Sequence, residues 1–225
     1  MTGQVAPTRA GKETDRWGKE IRLRLHLAIL LLFGSLAPGA AADRRPIDAT
    51  HSRVLVMVYK TGLFSALAHD HRIEAPIGSG SVDLGEYPSV QLRFEARHLR
   101  VLDPEVPGNT RQEIQQTMLG PKVLDAERYP EIHFVSKRVT STGQQSWRVD
   151  GNLTLHGQTH PVTLDVTETA GVYQGSVEIQ QRDFGITPIR IAGGTVKVKD
   201  TVRIRFEIRL EDSAQTNERK ASRIP

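Results

Sequence analysis

His69, Asp70 and His71 form the densest cluster of reactive side chains in this 225-residue chain. On a strand, residues i and i+2 share a face, so the two imidazoles could chelate one ion. A third ligand would have to arrive from elsewhere, with His133, His156 or His160 as candidates. The competing reading puts the cluster at a strand end, bonded to loop backbone or solvent. His156 and His160 have the spacing of a helical metal pair, but Gly157 and Pro161 break a helix there. They read better as residues flanking a hairpin turn.

Other templates fail. The chain contains no G-x-S-x-G and no H-E-x-x-H, which removes two hydrolase schemes. It has 0 cysteines, so thiol catalysis, cysteine-ligated zinc and disulfide scaffolding are all excluded. Gly78-Ser79-Gly80-Ser81 reads as a short turn, without the following helix that a phosphate cradle needs. Glu127 and Glu131 around Tyr129-Pro130 read as solvated loop carboxylates. Asn152-Leu153-Thr154 fits a glycosylation acceptor but falls inside a strand pattern. Arg203, Arg205 and Arg209 share one strand face; that face is either simply solvated or suited to an anionic headgroup or membrane surface. No residue is assigned a catalytic role and no cofactor is implied.

The elements that position these residues are strands. Val202, Ile204, Phe206, Ile208 and Leu210 alternate with Arg203, Arg205, Glu207 and Arg209, and Val90–Ala96 repeats the pattern. Period two marks strands with one apolar and one watered face. Further runs centre on Trp147–Leu155, Pro161–Val166 and Val172–Ile179. Thr142-Gly143, Asp150-Gly151, Ala170-Gly171 and Gly193-Gly194 read as punctuation. Arg53–Lys60 is apolar on both faces, so both must be covered, one of them by a helix. Thr110-Arg111-Gln112-Glu113 matches a capping box, followed by Ile114, Met118 and Leu119 and stopped by Gly120-Pro121. A second helical turn is expected over Val123–Glu127. About eight strands and one or two short helices between Ile47 and Leu210 indicate an all-β barrel or sandwich. An eight-stranded barrel is either filled by side chains or wide enough for one small ligand.

Before this domain, Leu25–Ala37 is a thirteen-residue stretch free of Asp, Glu, Lys and Arg, preceded by Arg16, Lys19, Arg22 and Arg24 and followed by Ala40-Ala41-Ala42. That is the form of a secretory signal peptide, too short to span a bilayer. We expect cleavage after Ala42, a mature domain over 43–210, a flexible tail over 211–225, and a periplasmic or secreted location. The net charge of +4 sits mostly in residues 1–42, which hold six basic and three acidic residues. The folded part is nearly neutral, which argues against nucleic acid as a partner.

Three segments carry a family resemblance. Leu124-Asp125-Ala126-Glu127-Arg128-Tyr129-Pro130-Glu131-Ile132-His133-Phe134-Val135-Ser136 resembles the L-D-x-x-x-Y-P-x-I-x-F-x-S signature of the YceI-like family. Gly151–Val162, reading G-N-L-T-L-H-G-Q-T-H-P-V, is similar to its G-x-L-T-L-x-G-x-T-x-P-V element. Arg182-Asp183-Phe184-Gly185-Ile186, with Val198-Lys199-Asp200, resembles its closing segments. The resemblance spans Ile47 to Leu210. It implies a lipocalin-like antiparallel barrel of an exported binding protein. The implied ligand is a polyisoprenoid, an isoprenoid quinone or a fatty-acyl-type lipid, held without enzymatic chemistry, with peripheral membrane contact open. On that reading Phe94, Leu153, Leu155, Leu164, Ile204 and Phe206 on apolar strand faces are ligand-binding candidates. Phe64, Met118, Leu119 and Phe184 are candidates from connecting segments. Arg182, Asp183 and the His69–His71 cluster are headgroup candidates. Taken singly, each apolar candidate reads better as structural core than as pocket wall, and apolar pockets and cores use the same residues. The alternative function is a metal-binding protein or metal-dependent enzyme using His69 and His71.

Overall fold

The computed structural model describes residues 43–61, 70–191 and 196–212, together with Gly3. The chain divides into two units, Met1–Ala41 and Ala42–Pro225, and every element below belongs to the second. The leader, Phe64, His69, Gly193-Gly194 and the tail from residue 213 lie outside the described residues.

Twelve strands form one antiparallel sheet: β1 (Arg44–Pro46), β2 (Arg53–Thr61), β3 (His71–Glu74), β4 (Ile77–Asp83), β5 (Ser89–Glu95), β6 (Arg100–Val101), β7 (Glu131–Gly143), β8 (Ser146–Leu155), β9 (Gln158–Thr169), β10 (Val172–Gln180), β11 (Arg190–Ile191) and β12 (Val196–Arg209). Two pairs of segments are bent staves. β3 runs through Ala75-Pro76 into β4, and β5 runs through a 3-10 turn at Ala96–His98 into β6. β3 pairs with β6 while β4 pairs with β5, so the two staves run side by side and bend together. Pro76, which has no N–H to donate, sits at the bend. Counted this way the ring has eight staves, closed where β12 pairs with β2 and β2 with β3. The expected all-β barrel is observed, with more strands than the eight expected because two staves are broken by bends and two short strands are added.

Where the bent stave leaves β2, a wedge opens, and the segment through β1 fills it. Ile47 bridges Leu210 at the end of β12 while its N–H bonds the Gly80 carbonyl at 3.0 Å. Gly80 is therefore not in a turn. Gly78–Ser81 lies within β4, where pairing on both sides overrides weak strand propensity. A side chain at Gly80 would stand 2.8 Å from Ile47 Cδ1. Asp150-Gly151 likewise lies inside β8 rather than in a turn. Ala170-Gly171 does turn the chain, with φ of 50° and 77°, the left-handed pair that suits a two-residue hairpin.

The helix α1 (Gly108–Leu119) starts two residues before the expected capping box. Thr110 is inside it, and Pro107 at the N-cap provides no side-chain cap. It is held instead by Gln115, whose amide accepts from Val101 N–H and donates to the Leu99 carbonyl, both at 2.7 Å. One side chain thus satisfies the open edge of β6. Residues 123–127 form hydrogen-bonded turns, not a second helical turn. The amides of Leu124, Asp125 and Ala126 return to the carbonyls of Met118, Gly120 and Leu119. The inner face of β2 (Val54, Val56, Val58) fronts the lumen, its Val58 end across a chamber from the helix, while Leu55, Met57 and Tyr59 stay half-buried outside.

The three signature segments meet at one corner. A side chain on Gly157 would stand 2.6 Å from the Tyr129 ring, and that ring packs on His156 with centroids 4.5 Å apart. His156 Nδ1 lies 3.0 Å from the Phe184 carbonyl oxygen, and His160 meets the Phe184 ring edge-on at 5.1 Å. Some of the residues that carry the resemblance therefore build this corner, while others, Ile132, Phe134, Leu153 and Leu155 among them, line the lumen.

Candidate functional site: an apolar lumen with one polar end

Inward-facing side chains leave the barrel interior open as three adjoining chambers. The central one, about 170 Å³, is walled almost wholly by aliphatic and phenylalanine side chains, Val56, Leu99 and Ile179 among them. A second, about 240 Å³, lies toward the β4–β5 hairpin and includes Trp147 and Tyr173, whose rings are 5.8 Å apart. Burial raises the Tyr173 phenol above the ordinary tyrosine range, with Glu168 adding to the effect, so it remains a neutral wall. Leu92, Phe134, Leu164 and Phe206 line both chambers and form a waist between them.

Each aromatic of the waist lies against a glycine of a neighbouring strand. A methyl group at Gly151 would stand 2.5 Å from the Phe134 ring, and one at Gly175 would stand 2.6 Å from the Phe206 ring. Phe206 and Gly175 are direct cross-strand partners. The missing side chains let both rings sink toward the wall.

Of the ligand-binding candidates, Phe94, Met118, Leu153, Leu155, Leu164, Ile204 and Phe206 line the central chamber. Leu119 and Phe184 do not line any of the three. Leu119 packs against the core, and Phe184 is 1% exposed within it. Phe64 lies outside the described residues. Arg182 and Asp183 are exposed. Arg182 N–H donates to Asp200 Oδ1 at 3.0 Å, and it is Gln181, their neighbour, that lines the lumen.

The third chamber, about 270 Å³, lies beneath α1 and is polar at its wall. Lys60, in phase with Val54, Val56 and Val58, points inward with them. His71, opposite Val58, shares that face. His71 Nδ1 lies 2.6 Å from Oδ2 of Asp103, a carboxylate with 0% exposure, whose Oδ1 accepts Arg72 N–H at 2.7 Å. Asp70 turns to the backbone, accepting Lys60 N–H at 3.0 Å. The alternative His69–His71 chelate falls partly outside the described residues, because His69 is not among them. Asp70 and His71 are engaged separately, and among the described residues no group of three or more metal-ligating side chains occurs. Asp103 was illegible in the sequence, since nothing in Leu102-Asp103-Pro104 marks a buried carboxylate. Lys60 was legible, because the β2 alternation puts it in register with three inward valines.

Burial pulls the Lys60 ammonium below the ordinary lysine range, while Asp103 and Asp70 pull it back up. A lysine with a depressed folded-state pKa costs stability while charged, and the cost fades as pH rises through that value. Lys60→Met is accordingly expected to raise the urea midpoint at neutral pH, with the gain vanishing in alkali. An unchanged or lowered midpoint at neutral pH would contradict this.

A family model described as a YceI-like domain matches residues 46–210. A UPF0312 protein of Pseudomonas putida is 42% identical over 74 residues, a stretch covering 28% of this chain and 38% of that relative. Among solved structures, Burkholderia cenocepacia BcnA superposes with a TM-score of 0.57 at 21% identity, covering 72% of this chain and 98% of that one. A polyisoprenoid binding domain from Saccharophagus degradans gives a TM-score of 0.50 at 14% identity, covering 74% and 97%. At those identities the likeness is one of fold.

Proposed function

Because this chain belongs to the YceI-like domain family, we propose that it is an exported binding protein that sequesters or carries a polyisoprenoid or similar long-chain amphiphile in its lumen. One observation carries the reading: the apolar interior continues through two chambers joined by a waist and ends in a third whose wall carries polar side chains, Lys60 and His71 among them. A core packed for stability alone closes such spaces.

The energetics are sufficient. Each methylene-sized group removed from water contributes about 0.8 kcal/mol, so ten give a gross ~8 kcal/mol before several kcal/mol of ordering and association costs. Hydrophobic contact alone then reaches useful affinity, and no catalytic residue or cofactor is needed. The leader-like segment supports a periplasmic or secreted location.

Native mass spectrometry of the protein purified from its own host without detergent tests the proposal. A bound species built of repeating five-carbon units is expected. Trp147 in the second chamber gives an independent readout, since the other tryptophan, Trp17, falls in the expected leader. Its emission should shift when a prenyl tail passes the waist. A clean apo mass together with no emission shift on adding prenyl lipids would overturn the reading.

A further inference from the structure

The polar end of the lumen has a defined donor and acceptor pattern. Asp103 has 0% exposure and its Oδ1 is taken by Arg72 N–H. Its Oδ2, 2.6 Å from His71 Nδ1, accepts the Nδ1 proton. That leaves Nε2 as a lone-pair acceptor on a ring that lines the chamber, with no hydrogen-bond partner among the described residues. Lys60 lines the same wall, and its ammonium makes no ion pair among the described residues. The chamber thus presents one acceptor and one strong donor. Glu113 lines it too, and Asp70 and Asp103 act on Lys60 through space.

We propose that His71 Nε2 and Lys60 Nζ together form a headgroup site for an uncharged hydroxyl, the terminal alcohol or phenol of the amphiphile. This deepens the lipid-binding reading and rests on it. A hydroxyl donates to Nε2 and accepts from Nζ at once. A carbonyl head answers only the lysine and leaves Nε2 facing a second acceptor. A phosphate head meets Lys60 but also the Glu113 carboxylate on the same wall and the same lone pair, with Asp70 and Asp103 repelling it through space, and it must be desolvated to enter. The dyad thus orients a head and selects it, while the tail supplies the affinity.

The same geometry predicts how to invert the selection. In Asp103→Asn, Arg72 N–H keeps an oxygen opposite it, so the amide nitrogen replaces Oδ2 and donates to His71 Nδ1. The imidazole proton moves to Nε2, and the chamber then offers two donors and no acceptor there. Carbonyl heads become the better match.

The test measures binding of geranylgeraniol, geranylgeranial, geranylgeranyl phosphate and the hydrocarbon of the same chain to the protein as purified from its host, by native mass spectrometry and Trp147 emission. For the wild type the alcohol should bind about tenfold tighter than the aldehyde, the effect of roughly one net hydrogen bond to a buried acceptor. The aldehyde should exceed the hydrocarbon, and the phosphate should fall below the alcohol. Asp103→Asn should bring the aldehyde level with or above the alcohol. Should that variant not fold, Lys60→Met serves: the aldehyde should drop to the hydrocarbon while the alcohol stays above both. Equal binding of alcohol and aldehyde by the wild type, an unchanged order in Asp103→Asn, or tightest binding of the phosphate would overturn the headgroup site and leave the tail reading standing. Failure of all four probes to bind would overturn both.

Discussion

Phe206→Asp is expected to strip the protein of co-purifying lipid while leaving a folded barrel. Phe206 lies at the waist and lines the two apolar chambers on either side, so a carboxylate there stands in the path of any tail that spans them. An ionised carboxylate without a partner in apolar surroundings costs several kcal/mol, and it lowers that cost by drawing in water. A hydrated waist is incompatible with a continuous hydrocarbon chain. The fold has reason to survive, because the ring is partly buried and borders open space rather than a filled core. Losing a large aromatic still costs about 3 kcal/mol or more, so the midpoint of urea unfolding should fall. Circular dichroism and native mass spectrometry on the same preparation separate the two effects. Retained lipid in a folded variant would remove Phe206 from the binding path.

The second large effect concerns the wall behind that ring. Gly175→Val should destabilise the barrel by about 3 kcal/mol, at the upper end of overpacking costs. The added Cβ collides with the Asp165 carbonyl oxygen on β9 and stands 2.6 Å from Phe206 Cζ. A flexible side chain tip could yield, but the Asp165 carbonyl belongs to a paired strand and cannot. The ring would be pushed into the lumen, narrowing the waist, so lipid binding should fall along with stability. Gly108→Ala is the matched control, since nothing lies within 4 Å of a Cβ there and alanine is the better helix former. It should be neutral or slightly stabilising in the same urea titration. A Gly175→Val variant as stable as the control would show that the strands can part at this point.

Period-two alternation made the long staves legible. Val202 to Leu210 and Val90 to Ala96 each buried the face their pattern assigned, because antiparallel strands with one wet side leave that signal in the sequence. The bends at Ala75-Pro76 and Ala96–His98 were not legible, nor was β4 through Gly78–Ser81. Their strand character comes from neighbours far along the chain rather than from their own propensity. Seven of the ten apolar candidates reach the central chamber, yet Phe184 and Leu119, of the same chemical type, do not. Hydrophobicity reports that a residue leaves water, and only the ring geometry decides whether it borders space or atoms. The polar end was hardest to read. Its lysine follows from phase, but its carboxylate, Asp103, lies 32 positions from His71, and no local pattern joins them.

The closure of β2 against β12 also sets a schedule. Ser52 and Arg209, joined by hydrogen bonds at this seam, are 157 residues apart in the chain. A ribosome adding about 5–20 residues per second needs roughly ten to thirty seconds between making one and making the other. Through that interval β2 has no β12 to lie against, and the ring cannot seal over its interior. Such long-range pairing makes folding slow even once the chain is complete. The hairpins from β7 to β10 can pair as they emerge, but the lumen becomes an enclosed space only when the last long strand arrives.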